Sequence, residues 1–270
     1  MSFNIKGNSG CNVFLKDGNV IKKATDKKYS DRLCLQYEKQ KNFSDSVVRA
    51  PSVLNHGNES NLFWFEMEYV RFKSFDDYFL LCGLSELNNI ADNILSFIDR
   101  NIVDVDSFDS YKLISKYEDV KDNIFRRHKI DVNYLNTFFY EIDSIVELPV
   151  GYSHGDLTFS NMLIDNNSIV LIDFLDSFIE TPLNDIVKLR QDTRYFWSLS
   201  RIKKIHDLVK VKQNLVYIDN KIVKHFEGFS FYQKYYNYFQ GLNLLRIVPY
   251  CQKRSDVDRL LGDINLLCIR

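Results

Sequence analysis

The 270-residue chain is predicted to be an α+β protein, with a small strand-rich lobe followed by a larger helical lobe. Two observations support this fold class. Short β-branched and aromatic runs between turn residues dominate the beginning of the chain, and later segments place apolar residues at three- and four-residue spacing. The predicted boundary assigns residues 1–70 to the first lobe and residues 71–270 to the second.

Composition indicates an ordinary folded globular protein. Apolar residues make up 45% and charged residues 26% of the chain, with only four prolines and ten glycines. The formal net charge of −1 supplies no basic field for a phosphate backbone, so no nucleic-acid partner is expected. No run is long and apolar enough to span a bilayer, and no signal-peptide pattern is visible, so we expect a cytoplasmic protein that does not bind membranes. Five scattered cysteines without C-x-x-C spacing argue against disulfides and zinc.

The first lobe is predicted to contain several strands and one helix. Residues 3–24 form short apolar runs, and Asp17-Gly18 supplies the positive φ that a tight hairpin turn needs. Residues 29–43 place apolar groups every fourth residue, which predicts an amphipathic helix. The aromatic run at residues 61–70 predicts a further strand.

The second lobe is predicted to be mainly helical. Apolar residues recur at helical spacing in "LSELNNIADNILSFID", "VNYLNTFFYEIDSIVEL" and "FYQKYYNYFQGLNLLRIV", which cover residues 84–99, 132–148 and 231–248. Pro149 is expected to end the second of these helices.

The stretch "MLIDNNSIVLID", residues 162–173, predicts a β-hairpin that carries polar groups at its open end. With the turn centred on Asn167, Leu163 faces Leu171 and Asn161 lies opposite Asp173. One carboxylate and one amide oxygen then converge. Hard oxygen ligands of this kind, few in number, suit Mg²⁺ bound together with substrate phosphates.

A second carboxylate, Asp156, precedes Asn161 by five residues in a loop that also contains His154 and Gly155. A carboxylate close to the metal pair, but outside it, could accept a proton from an attacking hydroxyl. Together these side chains predict a phosphoryl-transfer site.

The segments "HGDLTFSN" and "IDF" resemble the H-G-D-x-x-x-x-N and I-D-F/W signatures of the aminoglycoside phosphotransferase and choline kinase-like family. The resemblance extends from about Gly7 to Asp185 and implies a protein-kinase-like bilobal fold that uses ATP and Mg²⁺. It implies Asp156 as the catalytic base, with Asn161 and Asp173 as Mg²⁺ ligands. His154 would support the loop. Asp185 is expected to anchor this loop or cap a helix.

The same resemblance implies nucleotide-binding residues in the first lobe. Lys22 occupies the place of the strand lysine that holds the phosphates, and Glu38 that of its helix partner. Lys23 is the competing lysine, but alternation along the strand favours Lys22. The backbone around Ser9 and Gly10 would cover the phosphates.

The segment "FEMEYV" resembles the hinge of kinases. The resemblance places Met67 beside the adenine, with the backbone of Glu68 and Val70 hydrogen-bonded to its edge. ATP and GTP both remain open as the nucleotide.

The acceptor is expected to be a free small molecule, such as an amino alcohol, a sugar or a surface-glycan precursor. If it is cationic, the groups expected to attract it are Asp176, Glu180, Tyr195 and Trp197. Burial in the core is the alternative for the aromatic residues of this region.

Two other functions are kept as alternatives. A protein serine/threonine kinase needs room for an activation loop, and about a dozen residues separate Asp173 from Asp185. A catalytically silent nucleotide-binding pseudokinase would be expected to lack one of four motif residues. All four are present: Lys22, Asp156, Asn161 and Asp173.

Overall fold

A computed structural model describes residues 3–5, 10–166, 168–202 and 207–269 of the chain. The chain divides into two compact units. The first comprises Met1–Phe97 with Phe159–Asp176, and the second comprises Ile98–Thr158 with Ser177–Arg270. The predicted boundary at residue 70 lies inside the first unit.

The first unit contains an antiparallel five-stranded sheet, in the order β1-β2-β3-β6-β5. Its strands are β1 (Phe3–Ile5), β2 (Cys11–Lys16), β3 (Asn19–Ala24), β5 (Val53–Glu59) and β6 (Leu62–Glu68). Asp17 and Gly18 both have positive φ, 52° and 88°, in the turn between β2 and β3. The predicted hairpin turn is confirmed.

Helix α1 (Lys27–Lys41) packs on this sheet through its apolar face. Asp26 caps the helix by accepting a 2.8 Å hydrogen bond from Tyr29 N. Leu33 and Tyr37 are buried against Phe63 and Phe65 of the sheet. Burial of these side chains holds the helix in place over the sheet.

A second, three-stranded sheet in the first unit carries the predicted hairpin. Its strands are β4 (Val48–Arg49), β9 (Met162–Asp165) and β10 (Ser168–Leu171), with β10 in the middle. Helix α2 (Phe75–Leu81) contacts β9, and its Phe79 ring meets the Phe159 ring at a centroid distance of 5.1 Å. Helix α3 (Leu84–Asn101) begins in the first unit and ends in the second.

The second unit consists of helices and one two-stranded sheet, β7 (Asp104–Asp109) with β8 (Ile145–Val150). Its helices are α4 (Tyr111–His128), α5 (Asn136–Tyr140), α6 (Pro182–Thr193), α7 (Trp197–Ser200), α8 (Leu208–Phe226), α9 (Ser230–Ile247) and α10 (Arg254–Cys268). Helix α9 contacts α4, α6 and α10 and is buried on most of its surface. Because α9 is buried on most of its surface, it forms the centre of this unit.

The prediction of a single helix over residues 132–148 is wrong. A 3₁₀ turn at Asn133–Leu135 and helix α5 cover its first half, and the second half belongs to strand β8. The β-branched Ile145 and Val146 pair with β7, and this non-local pairing overrides the helical spacing. Gly151 follows β8 with φ 148°, and a Cβ there would lie 1.8 Å from Asn101 O, so only glycine fits.

The antiparallel sheet at the beginning of the chain and the helices after it confirm the predicted α+β fold class. Across the ranges that the structure describes, no helix is both long enough and apolar enough to cross a membrane.

Candidate active site

The hairpin of β9 and β10 has a register that differs by one residue from the predicted register. Asp165 pairs with Ser168 and Met162 with Leu171. Beyond the ladder, Ile172 N donates a 3.0 Å hydrogen bond to Asn161 O, so Asn161 lies opposite Ile172 rather than Asp173. The reason is a turn of two residues between the strands instead of three. Asn167, on which the turn was expected to centre, lies outside the described residues.

Asp173 leaves the extended conformation directly after this ladder, with φ 62°. A regular pleat would place its side chain on the opposite face from that of Asn161, because neighbouring strand positions alternate. The left-handed backbone ends this alternation. Aspartate is among the few residues that adopt this conformation at modest cost.

The side chain of Asp173 forms an ion pair with Lys22 of β3. Lys22 is buried, and burial alternates along β3 as predicted. Lys23 points to the other face, where its ammonium lies 2.5 Å from Glu59 Oε2. The predicted alternation, which places Lys22 and Lys23 on opposite faces of β3, is therefore observed. The choice of Lys22 as the lysine that contacts phosphates remains a prediction.

The predicted ion pair of Lys22 with Glu38 is not found among the described residues. Glu38 is exposed on α1. The buried face of α1 includes Tyr37 and Gln40, and Glu38 follows Tyr37 by one helical step of about 100°, which carries it off this face. Lys39 of α1 instead contacts the segment that follows Asp173. Its ammonium donates a 2.7 Å hydrogen bond to Leu175 O.

The glycine-rich turn is only partly described. Ser9 lies outside the described residues. The carbonyl oxygen of Gly10 accepts hydrogen bonds from Thr25 N and Thr25 Oγ1, at 3.1 and 2.7 Å. A Cβ at Gly10 would lie 2.6 Å from the ring of Tyr29, so the close approach of this ring requires glycine. Contact of this turn with phosphates stays a prediction.

The predicted hinge lies at the end of β6. The side chain of Met67 is buried in the core between the sheet and α1, where its sulfur lies 3.4 Å from Gln40 Nε2. Val70 is buried just beyond the strand.

The side chain of Glu68 forms an ion pair with Arg49. Its carboxylate accepts two hydrogen bonds from the guanidinium of Arg49, at 2.8 and 2.9 Å. Arg49 lowers the pKa of Glu68, against the raising effect of burial. Glu68 N donates to Ser52 O at 2.9 Å, and contact of the hinge backbone with a nucleotide remains a prediction.

In the second unit, the loop that carries Asp156 is held by Asp185 of α6. Asp185 accepts hydrogen bonds from His154 N at 2.6 Å and from Gly155 N at 2.9 Å. Asp156 N in turn donates to His154 Nδ1 at 3.2 Å. Gly155 has φ 81°, a conformation that favours glycine. Of the two structural roles predicted for Asp185, loop anchoring is confirmed, and Thr181 is the cap of α6.

Lys188, which was not predicted, contacts Asp156. The ammonium of Lys188 lies 3.0 Å from Asp156 Oδ1. Lys188 follows Asp185 by three residues, so both side chains project from one face of α6. This spacing is the one signal in the sequence, and it gains meaning only when Asp185 is known to hold the loop.

The two carboxylates predicted to attract a cationic acceptor are both exposed, and both have partners. Glu180 accepts hydrogen bonds from Ser153 Oγ at 2.9 Å and from Ser177 N. In the first unit, Asp176 Oδ1 lies 3.7 Å from the ammonium of Lys39. Their contact with an acceptor remains a prediction.

Cationic side chains lie near both Tyr195 and Trp197, and the carboxylates of Asp219 and Asp263 also act on Tyr195. Burial raises the pKa of Tyr195 to about 12. Tyr195 lines a cavity of about 390 Å³ together with Lys212 and Arg259. The Trp197 ring lies 5.9 Å from the guanidinium carbon of Arg201. Positive charges beside these rings oppose a cage for a cationic acceptor.

The donor set fits Mg²⁺ held jointly with a nucleotide. Over the described ranges, no group of three or more His, Cys, Asp or Glu side chains is arranged to hold a metal ion. Asn161 and Asp173 would supply two hard oxygen ligands, and phosphates and water would complete the shell of Mg²⁺. Their role as metal ligands remains a prediction. Asp173 is close to half exposed, so a phosphate-bound ion could reach it.

Comparison with known proteins agrees with this geometry. The profile of the phosphotransferase enzyme family matches residues 102–202, which include the Asp156 loop and Asp173. A search of curated protein sequences found no match.

Solved structures show the same fold. A thermostable mutant of aminoglycoside phosphotransferase APH(4)-Ia, in its apo form, aligns with a TM-score of 0.60 at 14% identity, over 99% of this chain and 94% of that chain. A ternary complex of an APH(4)-Ia mutant with ADP and hygromycin B gives the same TM-score and identity, over 99% and 93%. The gentamicin complex of APH(2")-IIa aligns with a TM-score of 0.60 at 14% identity, over 100% and 91%.

The expected family resemblance, kinase-like fold and phosphotransferase class are thereby confirmed. The family model thus matches residues 102–202 of a chain that has the fold of the aminoglycoside phosphotransferases.

Proposed function

We propose that this chain transfers the γ-phosphoryl group of ATP, with Mg²⁺, to a hydroxyl of a small molecule such as an amino alcohol or a sugar. The observation that carries the proposal is the ion pair of the buried Lys22 with Asp173, two residues that are 151 positions apart in the sequence. The Lys22 ammonium is buried, and the Asp173 carboxylate that it contacts is close to half exposed. In the nucleotide complex, phosphates could bind the ammonium and a metal ion could bind the carboxylate, in place of their direct contact.

The first unit supplies the side chains for the nucleotide. Lys22 would bind the phosphates as a point charge, and Asp173 and Asn161 would hold the metal. Bound Mg²⁺ would neutralise charge that develops on the phosphates during transfer. The carbonyl of Glu68 and the backbone of Val70 would bind the adenine edge.

The second unit supplies the base. Asp156 would orient the acceptor hydroxyl and accept its proton as the oxygen attacks phosphorus. Asp185 keeps the loop in place through two backbone hydrogen bonds, so the base is positioned before the acceptor binds.

A small acceptor is favoured over a protein by the short connection after the hairpin. Strand β10 ends at Leu171 and α6 begins at Pro182. The intervening segment is already held by Lys39 and Ser153, through Leu175 and Glu180. It leaves no extended loop on which a peptide could lie. The APH(4)-Ia complex with ADP and hygromycin B supports a small acceptor as an analogy of fold.

The test is a panel of hydroxyl acceptors incubated with ATP and Mg²⁺, with ADP release as the readout. Wild-type protein should phosphorylate a small molecule of the panel, and Asp156→Asn should not. Phosphorylation of a generic protein with no small acceptor would favour a protein kinase. ATP binding without transfer to any acceptor would favour a silent nucleotide-binding protein.

A further inference from the structure

We propose that Lys188 is a positioning residue for the proton acceptor, which keeps the Asp156 carboxylate ionised and oriented toward the acceptor hydroxyl. The inference rests on the proposed function, because it assigns the base a partner. The Lys188 ammonium lies 3.0 Å from Asp156 Oδ1, and both side chains are largely buried.

Helix α6 holds three consecutive residues of the loop from one face. Asp185 binds the N–H groups of His154 and Gly155, and Lys188, one helical turn later, binds the side chain of Asp156. Residues three apart on a helix are neighbours on its surface. The helix therefore sets both the backbone of the loop and the direction of its carboxylate.

The charge of Lys188 has no substitute within the loop. Residues 157–160, "LTFS", contain no charged side chain. Other titratable groups that meet the loop include His154, whose ring accepts from Asp156 N, and Asp185, whose carboxylate is used by backbone N–H groups. Glu180 reaches the loop through Ser153. Among these described contacts, Lys188 is the one that brings a lysine ammonium to Asp156.

A cation at this distance has two effects on a partly buried carboxylate. It favours the ionised form, which is the form that can accept a proton. It also fixes one oxygen, and so sets the direction of the other. In the transfer, the acceptor oxygen forms a bond to the γ-phosphorus, the bond from phosphorus to the leaving ADP oxygen breaks, and the hydroxyl proton passes to Asp156 while Lys188 keeps its own proton.

An ordinary surface ion pair is the alternative, and exposed pairs contribute little. Lys188 Nζ also lies 3.5 Å from Gln191 Oε1, so the lysine could serve helix packing alone. The two possibilities differ in the titration of Asp156, which a purely structural lysine would not change.

The experiment compares wild-type protein with Lys188→Met, Lys188→Arg and the control Lys116→Met. Lys116 belongs to helix α4 of the same unit and pairs with Asp119 at 3.9 Å. The first measurement is a ¹³C NMR titration of the aspartate carboxyl groups, in which Asp156→Asn identifies the Asp156 signal. It needs no acceptor.

We expect Lys188→Met to move the Asp156 titration to higher pH by about one unit, since an opposite charge at this distance typically shifts a carboxyl by about 1–3 units. Lys188→Arg should restore the wild-type midpoint, and Lys116→Met should leave it unchanged. An unchanged midpoint in folded Lys188→Met would overturn the proposal. If the methionine variant does not fold, Lys188→Gln, which also removes the charge, replaces it: a raised midpoint supports the proposal, and an unchanged midpoint overturns it.

With an acceptor in hand, the acidic limb of kcat/KM should move in the same direction in Lys188→Met, with little change in the KM for ATP. Failure of the proposed function is a separate result. Full turnover by Asp156→Asn would contradict the role of Asp156 as the base and, with it, the proposed function. If Asp156→Asn is inactive while Lys188→Met keeps the pH dependence of the wild type, only the role of Lys188 is contradicted.

Discussion

The ammonium of Lys39 donates a 2.7 Å hydrogen bond to the carbonyl oxygen of Leu175. The same ammonium lies 3.7 Å from Asp176 Oδ1. One side chain of α1 therefore contacts two consecutive residues of the segment that follows Asp173, the candidate metal ligand. Lys39 is itself largely buried, which strengthens a charge-assisted hydrogen bond. The position of α1 and the position of this segment are therefore linked.

Lys39→Met is expected to weaken Mg²⁺-dependent nucleotide binding. Loss of a hydrogen bond from a charged group costs about 1.5–3 kcal/mol, and part of that loss would appear as a weaker Kd for MgATP. Calorimetric titration measures it, with Lys28→Met, an exposed lysine of the same helix, as the control. Equal affinities in both variants and the wild type would show that Lys39 does not set the metal segment.

Asp156→Asn is expected to fold and bind ATP but to lose turnover by about 10²–10⁴-fold, the usual value of a positioned base. The matched control is Asp143→Asn, an exposed aspartate of the same unit. Initial rates of ADP release with an accepted substrate decide the matter, and near-normal rates in Asp156→Asn would rule out its role as base.

Asp173→Asn is expected to reduce the Mg²⁺ dependence of ATP binding more than Asn161→Ala does. The first change removes a full charge from the ion, and the second removes only a dipole. Titrations of ATP with and without Mg²⁺ measure the difference for each variant. The metal assignment fails if Asp173→Asn keeps the full Mg²⁺ dependence of the wild type.

The double change Asp176→Asn with Glu180→Gln tests the charge of the acceptor. For an amine-bearing acceptor, the KM should rise while ATP affinity stays nearly the same, because lost uniform binding affects KM. For a neutral sugar, the KM should change little. Steady-state kinetics with one acceptor of each kind separates the two classes, and a similar rise for both would point to a structural effect of the lost Lys39 and Ser153 contacts.

The ion pair of Glu68 with Arg49 should make part of the stability depend on pH. Because Arg49 lowers the pKa of Glu68 in the folded state, the contact stabilises the fold above the ordinary carboxyl range, and this contribution disappears as the pH falls through the folded-state pKa. Urea unfolding of Glu68→Gln should therefore differ from wild type at neutral pH and converge with it in acid. Arg49→Met should show the same convergence, and a constant difference at all pH values would contradict the linkage.

The sequence predicts those features that depend on local chemistry. Turn residues locate the β2–β3 hairpin, and strand alternation separates Lys22 from Lys23. The loop and hairpin motifs locate Asp156 and Asp173 because phosphoryl transfer requires a base and hard oxygen ligands in a fixed chain order.

Features that depend on packing could not be predicted. Asn166 and its neighbours are compatible with a turn of two or three residues, so the register could shift by one. Whether Glu38 or Lys39 points toward the segment after Asp173 depends on one helical step. The sequence pattern alone does not fix the rotation of a helix about its axis to that accuracy. The pairing of β8 with β7 and the contact of Lys188 with Asp156 join segments that are distant in sequence.

The left-handed backbone of Asp173, with φ 62°, restricts which substitutions this position can accept during evolution or engineering. Glutamate would keep the negative charge, yet its longer side chain lacks the tolerance for this conformation that aspartate and asparagine share. Glycine would suit the backbone but would bring no ligand. Asparagine is thus the neutral replacement that suits the backbone and still brings an oxygen ligand, and a variant with an altered metal preference would have to be built from ligands placed at other positions.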